Sequence, residues 1–244
     1  EPRLLLRAGL YWPGIATPGF AQLRAAWGAE RPVAAQLFYR ALVQAGNLAA
    51  IDALINALDR VGLNALPVFV ASLKDPVAAA TVTTAFADAP PAIILNTTGF
   101  ALSVPGEMTV AGPLAGTDCP VLQVIFAGSD AASWRDGTHG LAARDIAMNV
   151  ALPEVDGRIV SRAVSFKDAA VRDPLTYCPV TVYRPEPDRI AFVADLAANW
   201  VRLRQTPATE RRVALVMANY PNRDGRLGNG VGLDTPASVV TILQ

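Results

Sequence analysis

Four short apolar runs, each closed by a polar residue, a glycine or a turn, constrain this chain more than any other feature: Val33–Phe38, Ala65–Ala71, Ala92–Asn96 and Val121–Phe126. Their length suits strands, and their unbroken apolarity suits strands covered on both faces, as in parallel sheets. Between the first two, Ile51, Leu54, Ile55 and Leu58 recur at a spacing that lays one stripe on a helix. Asn47 is the expected N-cap of that helix and Gly62 its end. After the second run, Asp75-Pro76 supplies a cap and a first-turn proline for another helix. This β-α-β-α rhythm, with right-handed crossovers, predicts an α/β fold: a three-layer, doubly wound, mostly parallel sheet of the Rossmann or flavodoxin-like kind.

Punctuation along the chain sets the expected boundaries. Pro13-Gly14 and Pro18-Gly19 make residues 1–30 an irregular lead-in, and the α/β domain is expected over 31–206. Ile146–Leu152 and Arg158–Val164 flank the turn sequence Pro153-Glu154-Val155-Asp156-Gly157, which predicts a hairpin excursion from the main sheet. Val180–Tyr183 is a further candidate strand. After Pro187 a long helix is predicted, capped by Asp188, with Ile190, Val193, Leu196, Ala197, Trp200 and Leu203 as its buried stripe. Residues 207–244 are expected to begin a second α/β unit, truncated at its end: Val213–Met217 as a strand, then a helix opened by Asp234 or Thr235 before Pro236 and left unfinished at Gln244. With Glu1 in place of an initiating Met, the chain is expected to be one piece of a larger subunit.

Composition narrows the partners. The chain is 52% hydrophobic, yet it has no apolar run near the roughly 20 residues of a membrane span, so a soluble protein is expected. Its 21 basic and 21 acidic residues cancel, which gives no net field toward nucleic acid or an anionic membrane. Of the basic residues only Lys74 and Lys167 are lysines, so arginine supplies nearly every cation and favours forked contacts to carboxylates and amides. Cys119 and Cys178 show neither CxxC spacing nor a disulfide framework, and no signal peptide opens the chain; a cytoplasmic location is expected.

Two loops carry the candidate ligand contacts. Asn219–Ser238 leaves a predicted strand at its carboxyl end, where open α/β sheets bind ligands. Its glycines permit close backbone approach, and Asn219, Tyr220, Asn222, Arg223, Asp224, Arg226, Asn229 and Asp234 offer donors, acceptors and an aromatic ring. Neither a G-x-G-x-x-G fingerprint nor a P-loop is present, because Leu233 stands where the former needs glycine and no Gly-Lys pair exists; ATP is not expected on this chain. Asn96-Thr97-Thr98-Gly99-Phe100 is the second loop, with Asn96, Thr97 and Gly99 as its candidate contacts. The alternative for the first loop is a long connection using glycine for tight turns, and for the second a turn with local Asn and Thr hydrogen bonds. His139, the one histidine, cannot assemble an N/S metal site with two separated cysteines, so no metal ligands are assigned. Glu154 and Asp156 read as turn or capping carboxylates rather than an acid/base pair, and nothing resembles G-x-S-x-G.

At these loops the sequence resembles a known family. Ala218-Asn219-Tyr220-Pro221-Asn222-Arg223-Asp224-Gly225-Arg226, continued by Gly228-Asn229-Gly230-Val231-Gly232-Leu233-Asp234-Thr235-Pro236, is similar to the large subunit of aerobic cobaltochelatase. Ala151–Gly157 resembles a segment shared with the porphyrin-binding large subunit of magnesium chelatase, and Phe38-Tyr39-Arg40 and Asn96–Phe100 fit as well. The resemblance implies a very large subunit that binds hydrogenobyrinic acid a,c-diamide, a corrinoid tetrapyrrole, and inserts cobalt(II) as the substrate metal. It implies ATP, with Mg, on two ATPase-type partner subunits, and catalytic residues outside this chain, in a motif H-x-G-x-H-G-x-L-E. Gly137-Thr138-His139-Gly140-Leu141 matches only the centre of that motif, since Ala142-Ala143-Arg144 follow where a Glu is needed; His139 is given no catalytic role. A magnesium-chelatase-like subunit, a binding module of the periplasmic-receptor type and an assembly domain are the competing readings.

Overall fold

In the first long strand, β2 (Val33–Tyr39), successive side chains pass to opposite faces, and the fold is layered accordingly. Ala34 and Phe38 pack with Ile51, Leu54 and Leu58 of α3 (Ala49–Arg60) and with Ile190, Val193 and Ala197 of α8 (Pro187–Gln205). Ala35 and Leu37 pack instead with Leu23 of α1 (Phe20–Ala26) and with Val82 and Phe86 of α4 (Pro76–Asp88). The same alternation divides β3 (Asn64–Val70), whose Ala65 and Phe69 join the first cluster and Leu66, Val68 and Val70 the second. Helices therefore cover both faces of one sheet. This computed structural model describes residues 6–103, 112–168, 171–217, 228, 230 and 232–244.

The remaining strands of the sheet are β1 (Ala8–Leu10), β4 (Pro91–Asn96), β5 (Val121–Ala127), β6 (Ile159–Lys167) and β9 (Tyr183–Pro185), and two short helices, α2 (Arg40–Gln44) and α5 (Ala131–Asp136), follow β2 and β5. Their order is β1-β3-β2-β4-β5-β6-β9. The five central strands run parallel, while β1 and β9 close the two edges antiparallel. After β3 the chain passes back across β2 to lay β4 on its other side, so β2 and β4 separate the two directions of winding. All four predicted apolar runs are strands of this sheet within a residue of their expected ends. Asp75 caps α4 as expected, its Oδ1 accepting from Val77 N and Ala78 N, both at 3.0 Å.

Several expectations are corrected. Residues 146–155 form no strand of a hairpin: α6 (Ala143–Ile146), a π-helical turn (Ala147–Ala151) and α7 (Leu152–Val155) run on continuously, and the segment after the turn becomes β6 of the main sheet. The excursion lies later, where β7 (Val171–Arg172) and β8 (Pro179–Val180) pair antiparallel. The lead-in is not wholly irregular, since it holds β1 and α1. Leu48, not Asn47, stands at the start of α3, and Asn47 Oδ1 accepts from Tyr183 N on β9 at 2.9 Å. In α8 the buried stripe turns onto Val201, whereas Leu203 is exposed.

Glu1–Gln205 forms one compact unit and Thr206–Gln244 another. In the second, a 3-10 turn (Ala208–Glu210) leads into residues 211–217, which are exposed and form no ladder among the described residues, contrary to the expected strand. Asp234 opens α9 (Thr235–Leu243) as anticipated, its side chain accepting from Ala237 N.

Candidate functional site at the carboxyl edge of the sheet

Every parallel strand ends on the same edge, so the residues closing β2, β4, β5 and β6 meet there although they lie far apart in sequence. A cleft is built at this edge, and beside it a buried polar lattice joins the carboxyl end of β4 to the first residues of β5 and the turn that enters β6.

The lattice begins with Asn96, which is fully buried at the end of β4. Its Nδ2 donates to Thr98 O (3.0 Å) and to Gln123 Oε1 (2.9 Å), and its Oδ1 accepts from Thr98 Oγ1 (2.8 Å). Gln123, opposite it on β5, donates from Nε2 to the same Thr98 carbonyl. Arg158 reaches in from the start of β6, its side chain 1% exposed, and pairs with Asp156 at 2.8 Å. Its Nη1 also donates to Gln123 Oε1 and Thr98 O. Asp156 then accepts from the backbone N–H groups of Leu102 and Ser103 at 2.8 and 2.9 Å. Burial alone would raise the Asp156 carboxyl, but those two amides, Ser103 and the Arg158 guanidinium outweigh it and hold the group below the usual carboxylate range. Burial draws the Arg158 guanidinium downward, with Asp156 opposing it. A buried charge keeps its place only when paired and hydrogen-bonded in this way. The lattice fixes the path of residues 96–103.

That path is tight. Phe100 adopts φ +65°, a left-handed conformation unusual for a bulky side chain, and its N–H donates to Met148 O in the π-helical turn. A methyl group on Gly99 would stand 3.1 Å from the same carbonyl oxygen, so glycine is needed for this approach. Tyr39, ending β2, accepts from Gly99 N at 3.1 Å. Burial raises the Tyr39 hydroxyl pKa, with Gly99 and Arg158 opposing.

Tyr39 is the shared wall of two cavities. The larger, about 500 Å³, is lined by Thr97, Phe126, Arg144, Asp145, Lys167 and Tyr183 among others. The smaller, about 280 Å³, lies beside Lys74, Gly99, Phe100 and Arg158. The chain's two lysines thus line the two cavities. In the larger, the Phe126 and Tyr183 rings pack with centroids 5.7 Å apart and planes tilted by 43°, and Asp145 Oδ2 accepts from Gly128 N at 2.8 Å.

Of the sequence candidates, Asn96, Thr97 and Gly99 are brought together, in different roles. Asn96 is enclosed in the lattice, Thr97 lines the larger cavity and Gly99 the smaller. Asp234 caps α9. Asn219, Tyr220, Asn222, Arg223, Asp224, Arg226 and Asn229 lie outside the described residues. His139 is exposed and lines neither cavity. Sequence reasoning missed Gln123, Arg158, Arg144, Lys167 and Tyr183; only Gln123, a polar residue within an apolar strand, left a signal.

The CobN/Magnesium Chelatase family model matches residues 1–244. The chain belongs to this family. It is 51% identical over 248 residues to the aerobic cobaltochelatase subunit CobN of a Sinorhizobium species, covering 98% of this chain and 20% of the relative. To the protein of the same name from Pseudomonas aeruginosa it is 47% identical, covering 100% of this chain and 19% of the relative. A magnesium-chelatase subunit of Chlorobaculum parvum stands further off within the CobN/magnesium chelatase group, at 28% identity over 80% of this chain and 15% of the relative. A solved structure of the catalytic subunit of cobaltochelatase from Mycobacterium tuberculosis superposes with a TM-score of 0.76 at 33% identity, over 99% of this chain and 19% of that one. The chain spans about a fifth of the length of the cobaltochelatase relatives it matches.

Proposed function

We propose that this chain is the part of a cobaltochelatase large subunit that forms one wall of the tetrapyrrole cleft in cobalamin biosynthesis. The observation that carries the proposal is identity of 47–51% to aerobic cobaltochelatase subunits across essentially the whole chain, against 28% for a magnesium-chelatase subunit. In this reading hydrogenobyrinic acid a,c-diamide is the macrocycle and cobalt(II) the metal delivered to it. ATP with Mg acts on two partner subunits in the cytoplasm, and the metal-handling residues belong to the rest of the large subunit. The isolated chain is then inactive in cobalt insertion. The strand order supports a flavodoxin-like winding, in which ligands meet the carboxyl edge where the winding reverses. There Thr97 and Gly99 stand at the rim, with Asn96 holding them in place. Residues 207–244 are taken as the opening of a second α/β unit, and the amides, guanidinia and carboxylate of Asn219, Asn222, Arg223, Asp224, Arg226 and Asn229, with the Tyr220 ring, are taken by their chemistry as further contacts for the amide- and carboxylate-bearing periphery of the ring.

Titrating the chain with hydrogenobyrinic acid a,c-diamide tests this. Saturable shifts of the corrinoid absorbance bands are expected, with no cobalt incorporated when cobalt(II) is added. Unchanged bands at high protein concentration would count against a wall that binds the ring, and cobalt insertion by the chain alone would overturn its partial role.

A further inference from the structure

We propose that the smaller cavity, which shares only Tyr39 with the larger one, is a binding site for a phosphate group. Two loops enclose it, residues 72–74 after β3 and residues 98–102 after β4, with Arg158 as a further wall. Its volume of about 280 Å³ lies below the roughly 300–1,000 Å³ of pockets for drug-sized ligands, which suits a hydrated ion or a phosphoryl group rather than a ring system.

An orphaned donor is the first observation. The Arg158 side chain is 1% exposed, and both of its terminal nitrogens are engaged: Nη1 by Thr98 O and Gln123 Oε1, Nη2 by Asp156 Oδ2. Its Nε is buried with no hydrogen-bond partner among the described residues. Buried polar groups almost always find a partner, so an orphan on a residue that walls a cavity marks a place for a ligand or water oxygen. With both Nη groups taken, the forked grip of arginine on a carboxylate is not on offer; one N–H is.

Charge is the second. Lys74 lines the same cavity, and its ammonium makes no salt bridge or hydrogen bond among the described residues. No Asp or Glu is among the residues that line the space. The neighbouring carboxylates are committed elsewhere: Asp156 balances Arg158, while Asp75 pairs with Arg7 and caps α4. One positive charge is therefore left in excess at the cavity wall.

Two hydroxyls complete the donor set. Tyr39 donates to Gly99 O only at 3.4 Å, longer than the roughly 2.5–3.0 Å of an ordinary O–H···O bond, so its proton is free for a better acceptor. Ser72 Oγ accepts from Lys74 N, and its own proton has no acceptor among the described residues. Single donors from the end of β2, the loop after β3 and the start of β6 suit the tetrahedral oxygens of phosphate better than the two coplanar oxygens of a carboxylate. A phosphate seated among them ties the loops after β3 and β4 together across the end of β2.

The phosphate is either the free ion or the end of a larger ester, and inorganic phosphate and glycerol 3-phosphate separate the two. Each is titrated into the isotope-labelled full chain at constant ionic strength while the Arg158 Nε–H signal is followed by NMR, with acetate as the carboxylate control. A saturable shift of that signal is expected with at least one phosphate probe. Affinity should fall about fivefold or more in Lys74→Gln, a change at an exposed residue, and be largely kept in Lys74→Arg, with folding checked by circular dichroism. Tighter binding of inorganic phosphate assigns the site to the free ion, and tighter binding of glycerol 3-phosphate assigns it to an ester. An Arg158 signal that does not saturate with either probe, binding indifferent to Lys74→Gln, or acetate bound as tightly as phosphate overturns the proposal. None of these results bears on the corrinoid titration, which reads a different ligand.

Discussion

Replacing Asp156 by asparagine changes little volume but removes the charge facing Arg158, whose guanidinium is almost wholly enclosed. The partner is then left buried and uncompensated, and a loss of about 3 kcal/mol in unfolding free energy is expected from urea denaturation near neutral pH. The sign of the pH dependence follows from the depressed carboxyl. Its contribution is complete above the ordinary aspartate pKa, about 4, and is lost as the pH falls through the lower folded-state value. The gap between wild type and Asp156→Asn should therefore narrow on acidification below about pH 4; a gap that stayed constant would remove the ion pair as its source. None of this was visible from Pro153-Glu154-Val155-Asp156-Gly157, which reads as a solvated turn. Arg158 stands only two residues on, but the Leu102 and Ser103 amides that bury Asp156 and the Thr98 and Gln123 groups that bury Arg158 are far away in sequence, and such proximity leaves no local pattern.

Among the elements, the strands were the most legible because burial on both faces demands unbroken apolar runs, and β2 to β5 have them. The stretch 146–155 was misread for an equally physical reason. Pro153 lacks an N–H and usually ends a helix, so the sequence suggested a turn; here a π-helical turn directly precedes it and the helix continues through the proline. That turn is also the surface on which the loop after β4 rests. Gly99→Ala would press a methyl group against Met148 O and Asn149 Oδ1, at 3.1 and 3.2 Å. A destabilisation of about 1–3 kcal/mol is expected, the range for overpacking. Hydrogen exchange should quicken at residues 147–151 before it does in β2 or β3; uniform quickening would show that the contact is not local.

For the molecule as a whole, the chain divides into two compact units at Gln205 and Thr206. Residues 219–227, the heart of the loop that carries the family resemblance, lie outside the described residues, so the structural site rests on the sheet edge instead. Glu1–Gln205 holds both main core clusters within itself. A chain ending at Gln205 is accordingly expected to melt cooperatively, within a few degrees of the full chain, in calorimetry; a non-cooperative transition would show that the first unit depends on the second. The second unit has a different fate in isolation. Val213 and Val216 are 83% and 92% exposed in an extended run of five apolar residues, with Arg211 and Arg212 as the charges that precede it. Such a run, with its backbone amides unpaired in any ladder among the described residues, is a ready seed for intermolecular cross-β stacking when nothing else shields it, and the two arginines act as gatekeepers that slow the nucleation of fibrils.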